Sequence, residues 1–71
     1  MKIFINEGPL IIAPGLTVLE AVQAFDATLG AALSEGAAYA TDGVGRQLDP
    51  ASPVGEGTII RVINSAPRAE P

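Results

Sequence analysis

Apolar residues recur at helical spacing in one long stretch of the chain. Val18, Val22, Phe25, Leu29 and Leu33 step by four, three, four and four, so turns of about 3.6 residues stack the five side chains along one stripe that needs a cover. The pattern predicts helix over residues 17–33. Thr17 is placed to cap its start: the hydroxyl accepts from an early backbone N–H, while Glu20 reaches back to complete a capping box and complements the positive helix end. Gly15 lets the chain turn sharply into the helix, and Gly36 is the stop. Asp26 and Gly30 are poor helix-interior residues, which leaves two forms open: one helix broken near Asp26, or a helix followed by a second short turn.

Elsewhere the period falls to two. In residues 2–6, Ile3 and Ile5 point one way and Lys2, Phe4 and Asn6 the other, which predicts a strand. Glu7-Gly8-Pro9 is turn chemistry and residues 10–13 are a second short apolar run, so the two make a hairpin. Pro14 ends it, having no N–H for a ladder. After Gly36, Tyr39 and Thr41 carry a weaker strand over residues 37–41 that meets Asp42-Gly43, a strong hairpin signal, with residues 46–48 as a short returning edge strand. The two prolines of Asp49-Pro50-Ala51-Ser52-Pro53 exclude a central strand. Gly55-Glu56-Gly57 turns the chain into residues 58–63, the stretch richest in β-branched side chains. Its nearly continuous apolar character predicts a central strand covered on at least part of both faces.

The order is hairpin, helix, short hairpin, final strand. One sheet on one helix hides the stripe with the fewest elements, and the last strand sits most economically beside the first, where Ile3, Ile5, Ile59 or Ile60, and Ile63 can face the helix. The expected fold is thus α+β, a β-grasp with a mixed sheet of four to five strands packed on one main helix. Residues 1–64 form the domain. Residues 65–71, where periodicity is lost, are expected to be a flexible C-terminal tail.

Composition narrows the function. The 71 residues are 48% hydrophobic and 17% charged, as in a folded single domain, and a chain this short buries only about 60% of its unfolded surface. Eight acids against four bases give a net charge of −4, the wrong sign for affinity built on neutralising phosphates, so no nucleic-acid role is expected. No apolar run approaches the roughly 20 residues of a membrane span, and the opening residues read as a strand rather than a signal peptide, which makes the cytoplasm the expected location. The chain has no cysteine and no histidine. Disulfides, thiolate nucleophiles, the commonest metal ligand and the commonest general base are absent together, so an enzyme or a metal or cofactor site is not expected.

Three segments carry a family likeness. Met1-Lys2-Ile3-Phe4-Ile5-Asn6, the helix entry Ala13-Pro14-Gly15-Leu16-Thr17-Val18-Leu19-Glu20-Ala21, and the approach Gly55-Glu56-Gly57-Thr58-Ile59-Ile60-Arg61-Val62 to the last strand resemble, in that order and spacing, the ubiquitin-like sulfur carriers. The likeness is to the ThiS-like carriers of thiamine biosynthesis and, more distantly, to the MoaD-like carriers of molybdopterin biosynthesis. It spans essentially residues 1–65. It implies a carrier of thiamine or related sulfur-containing cofactor biosynthesis, monomeric alone, with an E1-like adenylating enzyme or a thiazole synthase-like protein as partner. Family members end in Gly-Gly, whose carboxylate is adenylated and converted to a thiocarboxylate. Here the corresponding positions fall near Ala66 and Pro67, and no glycine follows Gly57. The alternative expectation is a non-catalytic β-grasp module that docks on a protein partner through its sheet face.

Three residues are candidates for docking. Arg46 follows the Asp42-Gly43 turn, where the family presents residues to partners; the reading its position favours is a solvated edge-strand arginine that discourages strand-to-strand association. Arg61 interrupts the best strand, and its head can snorkel to Glu56 or Glu7 or meet a partner. Tyr39 suits either an exposed partner surface or the rim of the core with its hydroxyl in water. Asp42 and Asp49 would make a carboxylate pair for acid–base or cation chemistry, but Asp-Gly and Asp-Pro are explained by turn formation. Gly43 and Gly45 lack the strand-loop-helix context of a phosphate cradle.

Overall fold

The computed structural model describes residues 1–64; the expectations for residues 65–71, the flexible tail and the Ala66 and Pro67 positions, lie outside them. The elements in chain order are β1 (Lys2–Ile5), β2 (Gly8–Ile11), α1 (Val18–Phe25), α2 (Ala27–Glu35), β3 (Ala38–Thr41), β4 (Gln47–Leu48) and β5 (Ile59–Asn64). They form an α+β domain with one mixed five-stranded sheet in the order β2-β1-β5-β3-β4. β5 runs parallel to β1, with Phe4 opposite Ile59 and Ile5 opposite Ile60, and antiparallel to β3, with Tyr39 opposite Ile63 and Thr41 opposite Arg61. The last strand therefore lies beside the first, as the most economical arrangement predicts.

The core fills one side of this sheet. Ile3, Ile5 and Ile60 from the strands, Val18, Ala21 and Val22 from α1, and Leu33 from α2 are buried together. Phe25 and Leu29, the remaining stripe residues, are half-buried against the same cluster. Burying side chains of this size contributes about 1.5–3 kcal/mol each, which sets the helices' position on the sheet.

Several expectations are corrected. The sheet packs on two helices rather than one main helix, because Asp26 takes an extended backbone, φ −157° and ψ 115°, and serves both. Its N–H donates to the Val22 carbonyl at 2.9 Å, ending α1, and its Oδ1 accepts from the N–H groups of Thr28 at 2.8 Å and Leu29 at 3.3 Å, starting α2. A short polar side chain that bonds the local backbone is what such a junction needs. The first hairpin is also displaced. Its two-residue loop is Asn6-Glu7, not Glu7-Gly8-Pro9, and both residues have positive φ, 50° and 70°, as a type I′ turn requires. Gly8 belongs to β2, where a Cβ would stand 3.2 Å from the Phe25 ring. Pro9 is accommodated because Met1 and Ile12 exchange backbone hydrogen bonds; by alternation, Pro9 then falls at a position whose nitrogen faces outward from the edge.

β5 is covered on one face only. Ile60 is fully buried, but Ile59 is 45% and Ile63 39% exposed, so Ile63 does not face the helices. Strand alternation decides this: Ile60 and Val62 point to the core, and Ile59, Arg61 and Ile63 point away.

The capping box at Thr17 and Glu20 is present, with Glu20 N–H donating to Thr17 Oγ1 at 3.2 Å and Thr17 N–H to Glu20 Oε1 at 2.9 Å. The proline-containing segment after β4 adds to it. The Ser52 and Pro50 carbonyls accept from Val18 N–H at 2.9 Å and Leu19 N–H at 3.0 Å, and Val54 of that segment enters the core. Orphan donors of the first helical turn are thereby satisfied from a distant part of the chain. Gly36 ends α2 in the left-handed conformation, φ 83°.

Candidate interaction surface

With both helices on one side, the other side of the sheet is left open. Alternation from the buried Ile3, Ile5 and Ile60 assigns Lys2 and Phe4 of β1, Ile59, Arg61 and Ile63 of β5, and Tyr39 of β3 to this face. On β2, Ile11 opposite Lys2 shares it and is 72% exposed. Phe4 pairs with Ile59 at the middle of the sheet and Tyr39 with Ile63 beyond it, so the apolar side chains gather in two pairs on this face with Arg61 between them. Large apolar side chains left exposed together on one sheet face are a mark of an interaction site. The Lys2 ammonium lies 5.5 Å from the centre of the Phe4 ring, which keeps that cation on the same face.

Tyr39 and Arg61 are thus brought together on the open face. Tyr39 is half-buried on the side away from the helices and does not rim the core. Arg61 is exposed and has no ion pair among the described residues, so the expected pairing with Glu56 or Glu7 is absent. Glu56 is engaged elsewhere: its Oε2 accepts from the backbone N–H of Lys2 at 3.2 Å. Asn6, just past the end of β1, holds the interior of β5, its Oδ1 accepting from Val62 N–H at 2.9 Å.

Arg46 stands apart from this face, because the β3–β4 turn uses it. Asp42 Oδ1 accepts from the N–H groups of Val44 and Arg46, each at 2.9 Å, and Asp42 Oδ2 pairs with Arg46 Nε at 3.2 Å. The Arg46 backbone N–H does most to hold the Asp42 carboxyl below its ordinary value; desolvation opposes it, and the Val44 N–H and the guanidinium add to the lowering. Asp49 also serves its own turn, its Oδ1 accepting from Ala51 N–H at 2.9 Å. The two aspartates therefore do not act as a pair, and Gly43 and Gly45 lie in the turn itself. Among the described residues there is no cavity and no group of three or more metal-ligating side chains. No helix among them is long and apolar enough to cross a membrane.

The sequence candidates omitted Lys2, Phe4, Ile11, Ile59 and Ile63 as members of this face. The alternation of residues 2–6 already sets Lys2 and Phe4 opposite Ile3 and Ile5, whereas the nearly continuous apolar run of residues 59–63 carries no such signal. Ala66 and Pro67 fall outside the described residues. In comparisons with protein-family models, curated proteins and solved structures, nothing matches the chain.

Proposed function

We propose that this chain is a ThiS-like β-grasp domain that works by docking its open sheet face on a protein partner, an E1-like adenylating enzyme or a thiazole synthase-like protein, and not by chemistry of its own. The β-grasp assignment is supported by the strand order β2-β1-β5-β3-β4, with parallel β1 and β5 at its centre and both helices on one side. The observation that carries the docking role is the exposure of Ile11, Ile59 and Ile63 around the half-buried Phe4 on the open face, since leaving such side chains in water forgoes the free energy of burying them. Aromatic and branched apolar side chains are also the types that anchor interfaces.

The test mixes isotope-labelled protein with a purified E1-like adenylating enzyme and follows backbone amides. Docking predicts that signals of Phe4, Tyr39, Ile59 and Ile63 shift or broaden while those of α1 and α2 do not. Absence of any change with either partner class refutes the proposal. Adding MgATP and a sulfur source and weighing the intact protein tests the carrier alternative: exchange of one oxygen for sulfur at a C-terminal carboxylate would replace the docking role with a transfer role.

A further inference from the structure

The open face carries a charge pattern that runs against the rest of the protein. The sequence has four basic residues and a net charge of −4. Two of the four, Lys2 and Arg61, lie on this face, and no acidic side chain occupies a strand position on it. Arg46 is paired with Asp42 in its own turn. Glu20, Asp26 and Glu35 belong to the helical layer behind the sheet, and the other acids of the described residues lie in turns and loops, Glu56 nearest the face with its carboxylate on the Lys2 backbone N–H. Neither Lys2 nor Arg61 has an ion pair among the described residues.

The register sets the spacing of the two cations. Lys2 lies two residues before the Phe4–Ile59 pair on β1, and Arg61 two residues after it on β5. Along parallel strands that is about 13 Å, with the apolar pair midway between.

We propose that the partner surface is apolar at its centre and bears carboxylates on either side, spaced to meet Lys2 and Arg61; this rests on the docking role proposed above and specifies its partner. An exposed ammonium over a ring gains little, so Lys2 is free to exchange the Phe4 ring for a carboxylate. A protein patch with discrete carboxylates fits better than a polyanion, which the net charge of −4 repels at long range. The two cations orient the encounter and reject basic partners, and the apolar side chains supply the burial.

The experiment titrates the full chain with two synthetic helical peptides that share one leucine stripe and differ in its borders, glutamate in one and lysine in the other. Amide shifts report which face is occupied. The glutamate peptide is expected to perturb Phe4, Ile59, Arg61 and Ile63 and to bind about tenfold or more tightly than the lysine peptide in low salt, the difference collapsing in high salt. Arg61→Glu and Lys2→Glu, both at exposed positions, should invert the preference. Equal binding of the two peptides on this face would overturn the charge proposal while leaving the docking role in place. Binding of neither peptide to the face would overturn both.

Discussion

Replacing Gly30 by alanine tests how closely the two helices meet. In an exposed helix interior this change stabilises by about 1 kcal/mol, because glycine is the poorer helix former. Here the sign should reverse. Gly30 is buried, and a Cβ built on it would stand 2.5 Å from Gln23 Cγ and 2.8 Å from Gln23 Cα. A rotamer change can move Cγ, but Cα is backbone, so relief requires α2 to separate from α1. Overpacking of this kind costs about 1–3 kcal/mol, and contact with a main-chain atom belongs at the upper end. Setting about 3 kcal/mol of strain against about 1 kcal/mol of propensity leaves a net loss of about 2 kcal/mol, a large share of the stability of a small domain. For a domain of this size that corresponds to a fall in Tm of about 8–16 °C. Urea and thermal denaturation of Gly30→Ala beside the parent protein measure it. A variant as stable as the parent, or more so, would show that the helices do not approach at Gly30 and that the junction at Asp26 is wrongly understood.

Thr41→Val should stabilise the protein by about 1 kcal/mol, read as a higher urea midpoint, because Thr41 is only 4% exposed and its hydroxyl has no hydrogen-bond partner, while valine keeps the shape. Val22→Asp should abolish the cooperative melt in circular dichroism, since it buries an unpaired charge at a cost of several kcal/mol in a fully buried position. Asp42→Asn should flatten the acid limb of the stability–pH curve. The Asp42 carboxyl is lowered on folding, so its contribution is present above the unfolded carboxylate range and is lost as pH falls through the folded value; parallel acid titrations of parent and variant compare the two limbs.

What local chemistry governs was legible in the chain itself. Thr17 and Glu20 lie three residues apart, within reach of each other's backbone, so the capping box follows from the sequence alone. The same holds for Gly36, whose left-handed conformation ends α2. Ile3 and Ile5 alternate on a strand and reach the core as that alternation requires. Where local preferences compete, tertiary contacts decided the outcome. Gly8 and Pro9 are turn formers, yet they lie in β2 because Phe25 lies close over Gly8 and Pro9 sits at an outward edge position. The docking candidates divided for the same reason. Tyr39 and Arg61 share a face only because β3 pairs with β5 in a register that no local pattern encodes, whereas Arg46 is withdrawn by the Asp42 carboxylate.

The amino-acid order by itself determined the capped start of the first helix at Thr17, the stop at Gly36 and the buried half of β1, Ile3 and Ile5, because these depend on neighbours within a few positions. Only the tertiary structure decided that both helices cover one side of the sheet, leaving Ile59, Ile63 and Ile11 with Lys2 and Arg61 on the other. A nearly continuous apolar strand such as β5 has no preferred inner face until its partners are in place, and pairing across about fifty residues of chain is a long-range event.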